Sequence, residues 1–466
     1  MSVITLQLGQ CGNQIGTELF SSLYENACST NSAVYRNTSL ERFFATVSDA
    51  GQRVASQPRA VLIDMESKVV QQSVLEAKRH KRWKYDEKCV YSQKRGSGNN
   101  WANGYLHYGL ASEATVLDMV QRQAEKCDLL EGFLVLMSVA GGTGSGVGAY
   151  VTERLRDEYP HVTIVNQVVW PYASGEVSVQ GYNAILTTSH LQKAADAILL
   201  FQNDQLHQTC LKRLGLRHVT FTDLNKVISH VLASALQPAV RLEQLSCEGQ
   251  QSGDQAMYRR CSIGDLCTQL CSHGDYKVVS VKSIPWMPDQ CHAYSSHLWA
   301  GLLKHLRQML ITDSPLEEGM DWSLFLDYVQ KPFCTYQESS TERVKFVGGV
   351  NKSVANLLLL RGNELASADW SPFCDRRLYS EWSPEAWRCD AWGSGCGFNK
   401  HDKCCTLLTN SQGCVRPLNQ LCEKAWTMYS AGAYLHQYER YGLTKDEMIE
   451  RFADVELMIK NYATIT

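Results

Sequence analysis

Five of the eight residues from Gly141 to Gly148 are glycine, with Thr143 and Ser145 among them, and the stretch follows the apolar run 133–139. Residues of these types at this spacing can hold a phosphate. Glycine lets the backbone approach an anion closely, successive N–H groups can converge on one point, and the two hydroxyls add donors. The densest group of metal-capable side chains is elsewhere: Cys389, Cys396, His401, Cys404 and Cys405. Zinc would suit it chemically, but the spacings match no standard finger, and the segment reads as an irregular surface excursion.

The glycine stretch needs a strand before it and a helix after it. The run 133–139 is short, branched and apolar, as expected of a strand buried on both faces, and residues 147–155 can start a helix. Such a junction presents unpaired amides and the positive end of the helix dipole at one point. The chain contains no G-x-x-x-x-G-K-[ST], which argues against an ordinary P-loop. A dinucleotide pattern can be made from Gly144, Gly146 and Ala149, but the next apolar strand, 162–169, ends without the ribose-binding acid. That counts against a nicotinamide enzyme on a Rossmann sheet, the main alternative from another class.

Strand and helix patterns alternate to about residue 205, the sign of a doubly wound parallel sheet. Within this stretch residues 29–58 are polar and read as a long loop with short pieces of structure. A long helix is expected over 222–236, a mixture of strands and helices over 244–375, and mainly helix from about 417. The length of 466 residues allows two or three domains, and a net charge of -3 with 20% charged residues leaves no basic footprint for nucleic acid or membrane. The start, MSVITLQLGQ, lacks the features of a signal peptide, and no apolar run approaches the roughly 18 residues of a membrane helix. A soluble intracellular protein is expected, with its 18 cysteines, none in a C-x-x-C pair, as reduced thiols.

With Ala140 in place of one glycine, residues 140–146 resemble the G-G-G-T-G-S-G signature of the tubulin and FtsZ-like GTPases. The likeness continues in register with LGQCGNQIG at 8–16, DME at 64–66, GNNWA at 98–102 and VQGYNAIL at 179–186. It implies a Rossmann-like GTPase domain over 1–205, a central helix and α/β intermediate domain over 206–375, and an irregular segment with a C-terminal helical region over 376–466. It also implies GTP or GDP held by Gln10, Cys11, Asn99, Ser138, Gly141, Gly142, Thr143, Gly144, Ser145, Gly146, Glu176 and Gln180. Asn203 and Asn225 would read the guanine edge, with Phe221 stacked on the base; each Asn offers a donor and an acceptor. Asp64 and Glu66 would organise a hydrated Mg²⁺. Gln180 stands where the family commonly has a ribose-binding glutamate, so an altered ribose contact is expected.

Within the family, residues 299–310, 353–357 and 433–438 resemble the delta type. That implies other tubulins and centriolar or basal-body proteins as partners, and a place in the cytoplasm and cytoskeleton, at the centrosome or centriole and the basal body of the cilium. The role implied is the formation or maintenance of triplet microtubules; a non-polymerising GTP-binding scaffold or regulator of other tubulins is the alternative. The chain's last residues, KNYATIT, contain no glutamate-rich tail of the kind that recruits basic partners. Asp265 falls where alpha-tubulin has a glutamate that orients water on a neighbouring subunit's GTP, which would make hydrolysis slow and dependent on a partner. An aspartate interacting with a helix N-terminus is an equally good reading of the same residue.

Overall fold

A computed structural model describes the chain apart from residues 49–53, 81, 176, 244–257, 259–260, 295, 327–330 and 339–342. The described residues pack as two compact units. The first comprises Met1–Cys28, Arg36–Asp204 and Gln420–Val455, and the second Ser29–Tyr35, Gln205–Asn419 and Glu456–Thr466.

The first unit contains the strands β1 (Ser2–Leu8), β2 (Phe44–Ser48), β3 (Val54–Pro58), β4 (Ala60–Asp64), β5 (Val90–Ser92), β6 (Leu130–Ser138), β7 (Thr163–Trp170) and β8 (Ala197–Gln202). Six of these form a parallel array in the order β5-β4-β1-β6-β7-β8. Every residue of β1 and β4 is buried, as is Gly132–Met137 of β6. Burial on both faces is expected of a parallel sheet, and in β1 it takes in the polar Thr5 and Gln7 along with the apolar residues. From β1 the chain builds outward to β4 and β5, then returns to place β6 on the other side of β1. The strand order therefore reverses between β1 and β6, and a crevice for ligands opens beyond the carboxyl ends of the strands at such a point.

Residues 29–58 are not the long loop that their polarity suggested. They contain the helix Ala33–Phe43 and the antiparallel hairpin β2–β3. Phe44 packs edge-on against Phe20 at 5.5 Å and against Tyr24 at 5.7 Å. A few aromatic anchors thus fold a segment whose average composition reads as loop.

The second unit has β9 (Val240–Arg241), β10 (Val278–Ile284), β11 (Cys334–Tyr336), β12 (Val344–Phe346), β13 (Ser353–Gly362), β14 (Cys389–Ser394) and β15 (Lys403–Ser411). Its main sheet runs β10-β15-β13-β14-β9. The helix Trp299–Thr312 lays Leu303, Leu306, Met309 and Leu310 into a core with Leu358, Leu360, Phe373 and Leu407. The cysteine and histidine segment is not a surface excursion, because β14 and β15 supply two of these strands and Cys404 and Cys405 are fully buried. Among the described residues no group of three or more His, Cys, Asp or Glu could hold a metal, and the cysteines are free thiols. No helix among them is long and apolar enough to cross a membrane.

Candidate functional site

β6 ends at Ser138, and the chain passes through Val139–Gly142 into a π-helical turn, Thr143–Val147, that continues as the helix Gly148–Glu158. π turns are uncommon and concentrate at functional sites. Among the described residues no side chain caps this start, and the Gly141 and Gly142 amides reach no backbone acceptor. The loop's carbonyls are occupied: the Gly146 amide donates to Gly142 O at 2.9 Å, and the Ser145 hydroxyl donates to Gly141 O. Carbonyls turned inward and amides left open make a concave, electropositive surface suited to an anion.

Two other loops form the bed of this turn. A Cβ on Gly142 would lie 2.7 Å from the Asn100 amide, so only glycine fits there. A Cβ on Gly141 would meet nothing closer than Asn99 Oδ1 at 3.7 Å, which marks Gly141 and Asn99 as sharing the open side. The Thr143 and Ser97 hydroxyls are 3.1 Å apart. From β1, Gly9 adopts φ +69° and its Cβ position lies 3.0 Å from the Gly144 amide, so the helix Gly9–Ser29 starts directly against the loop. This brings Gln10, which is exposed, and Cys11, half-buried, to the strand-order reversal together with the glycine turn.

Asn183, inside the helix Gln180–Ala194, fastens the arrangement. Its Nδ2 donates to Ala140 O at 2.7 Å and to Asn99 O at 2.8 Å. Its Oδ1 accepts from the Trp101 amide at 3.0 Å and the Tyr438 hydroxyl at 2.6 Å. All four capacities of one buried amide are therefore used, on three separate segments. Sequence reasoning gave this residue no role of its own; its only signal was membership of the segment 179–186. Gln180, three residues before Asn183 in the same helix, donates from Nε2 to Tyr172 O at 3.0 Å and is buried. Glu176 lies outside the described residues.

Asp64 ends β4 and is only 4% exposed, whereas Glu66 is exposed. Burial, with a smaller contribution from the Glu66 charge, raises the Asp64 carboxyl to about 6, against the Glu66 amide at 3.4 Å that favours its charged form. A buried acid penalised for its charge, beside a second carboxylate two residues on, fits a hydrated divalent cation, which would restore the charged form. Asn203 follows β8, is 8% exposed and opens the helix Asn203–Gln208.

In the second unit, Phe221 is the first residue of the helix Phe221–Leu236 and is 52% exposed, with Asn225 buried one turn later. Asp265 lies in the first turn of the helix Ile263–Leu270 within a capping box. Its amide donates to Ser262 Oγ at 3.0 Å, and its Oδ2 accepts from the Ser262 amide at 2.8 Å and the Ser262 hydroxyl at 2.6 Å.

Residues 2–211 match the family model for the GTPase domain of the Tubulin/FtsZ family. Along its whole length the chain is similar to proteins named tubulin delta chain. It is 41% identical to that of Mus musculus, 40% to that of Canis lupus familiaris and 39% to that of Homo sapiens, and each alignment covers all of both chains.

Proposed function

Because this chain belongs to the tubulin family and is a tubulin-type GTP-binding protein, we propose that it acts as a delta-type tubulin in forming or maintaining the triplet microtubules of centrioles and basal bodies, and so in cilium assembly. The observation that carries the reading is the likeness to delta chains over the full length of both partners. Other tubulins are its expected partners, with centriolar or basal-body proteins beside them. A fluorescently tagged chain should concentrate at centrioles and basal bodies, and its depletion should convert triplets to doublets in electron micrographs. Uniform decoration of all microtubules, with triplets intact after depletion, would refute it.

The nucleotide is assigned to the uncapped turn at Thr143–Val147, with Gln10, Cys11 and Asn99 around it. Gly141 to Gly146 would supply amides to the phosphates, and Asp64 and Glu66 would hold Mg²⁺ through water, where the cation neutralises phosphate charge. Asn203 and Asn225 would read guanine and Phe221 would stack on it. Adenine would leave one of these amides unsatisfied, a penalty of roughly 1–3 kcal/mol. Calorimetric titration should therefore give GTP a preference of at least tenfold over ATP; equal affinities would remove the base-reading assignment.

Turnover is proposed to be slow and to depend on a neighbouring subunit, with Asp265 offered in trans. One observation favours the scaffold or regulator reading instead: both bonds accepted by Asp265 Oδ2 come from its own capping box. Phosphate release from assemblies with tubulin partners, comparing wild type with Asp265→Asn, decides between them. Equal release from both assemblies would eliminate the catalytic role.

A further inference from the structure

The peptide that joins Ala140 to Gly141 is held from one side. Its carbonyl accepts from Asn183 Nδ2 at 2.7 Å, while its amide, that of Gly141, reaches no backbone acceptor among the described residues. The C=O and N–H of one trans peptide point in opposite directions, so the bond to Asn183 sets where the Gly141 N–H points. With no Cβ at 141, the peptide plane can turn over at little steric cost. The carbonyl would then stand where the amide stands now, and it would repel an anion.

Asn183 is itself oriented from outside the turn. Nδ2 also donates to the carbonyl of Asn99, whose backbone lies in the left-handed region at φ +53°, and Oδ1 accepts from the Trp101 amide and the Tyr438 hydroxyl. Two carbonyls need a donor and a backbone N–H needs an acceptor, so the side-chain amide has one orientation. Tyr438 lies in the helix Leu435–Glu439 and is buried. Burial lifts its hydroxyl well above the usual range, which keeps it a donor. The same short helix meets the bed of the turn a second time, where Gln437 O accepts from Asn100 Nδ2 at 3.2 Å.

Resting on the assignment of the nucleotide to this turn, we infer that Asn183 and Tyr438 are positioning residues for its phosphates: Asn183 keeps the Gly141 amide turned outward, and the Tyr438 hydroxyl keeps Asn183 in the rotamer that does so. Neither has to touch the ligand. They set the share of free protein whose turn is already able to bind, and apparent affinity falls in proportion to that share. By linkage, whatever displaces the helix Leu435–Glu439 also weakens nucleotide binding, and nucleotide in turn steadies that helix.

GDP affinity of the full-length chain is measured by competition with a fluorescent guanine nucleotide, alongside thermal unfolding. Tyr438→Phe should weaken GDP about tenfold and Asn183→Ala on the order of a hundredfold. Tyr182→Phe separates positioning from a purely structural role. Its hydroxyl donates to Ala433 O at 3.0 Å and its ring meets that of Tyr438 at 5.5 Å, so it joins the same elements outside the relay. It should lose stability much as Tyr438→Phe does and keep wild-type affinity. Equal weakening by the two tyrosine variants, or wild-type affinity in Tyr438→Phe, would overturn the inference. Saturating GDP should also slow hydrogen exchange over residues 433–438 in the wild type and not in Asn183→Ala; equal slowing in both would take Asn183 out of the relay. If Gly142→Pro empties the site while Tyr438→Phe binds normally, the phosphate assignment stands and the positioning role falls. Undiminished occupancy in Gly142→Pro would remove both.

Discussion

Two helix starts in this chain solve the same problem in opposite ways. The helix Ile263–Leu270 closes its first turn from within: Ser262 and Asp265 exchange side-chain and backbone bonds, and a carboxylate fills the place where an anion would sit. The turn at Thr143–Val147 has Gly142 in the capping position and no side-chain cap. The first four amides of any helix lack intrahelical partners. Where the chain satisfies them itself, the terminus serves stability; where it surrounds them with glycine and leaves them open, a bound anion can complete the turn.

The sharpest way to break this comparison is Gly142→Pro, which removes an open amide and places a ring against Asn100 and Ser97. Nucleotide affinity should fall at least a thousandfold, read as nucleotide content after gel filtration, with the far-ultraviolet circular dichroism largely retained. Undiminished occupancy would mean that the phosphates sit elsewhere.

Asn183→Ala tests what holds the open turn. Four partners, on Ala140, Asn99 and the buried Trp101 and Tyr438, lose their bond together. A loss of roughly 3–4 kcal/mol is expected in urea denaturation. Nucleotide should recover part of it through binding.

Asp64 gives the comparison a pH dependence. Its folded carboxyl is raised from 3.8 to about 6, so its contribution to stability is complete below the lower value and is lost as pH rises through the higher. Two units correspond to roughly 3 kcal/mol at most. Asp64→Asn should flatten that loss between about pH 4 and 6, and GTP with Mg²⁺ should stabilise the wild type most above pH 6. An identical pH profile for variant and wild type would remove Asp64 from the account.

The smallest effect belongs to the closed terminus. Ser262→Ala should cost about 1 kcal/mol through the lost cap and leave GTP affinity unchanged. A change in affinity would mean that the two termini are not independent.

The sequence made the strand, glycine turn and helix around residues 133–155 legible, because each depends on near neighbours: apolar runs give strands, and a glycine-rich break gives a junction. The π-helical opening was not legible, since there the turn packs against Ser97 and Asn100 of another loop and Gly104 of the π-helical turn Asn103–Gly109. β15 was missed for a related reason. KCCTLLTNS reads as half polar, yet every residue is buried, because partners distant in sequence satisfy its polar groups: Asn410 donates to Leu270 O and Tyr276 O, both at 2.8 Å.

By itself the sequence determined the family, the parallel order of strand and helix, and the glycine turn on which the phosphate proposal rests, all carried by short-range patterns of glycine, hydroxyl and apolar residues. Only the tertiary structure decided which polar side chains became fasteners. Asn183 became the anchor of the open turn and Asp265 a cap, because a hydrogen-bonding group is committed by the partner that folding brings to it and not by its residue type alone.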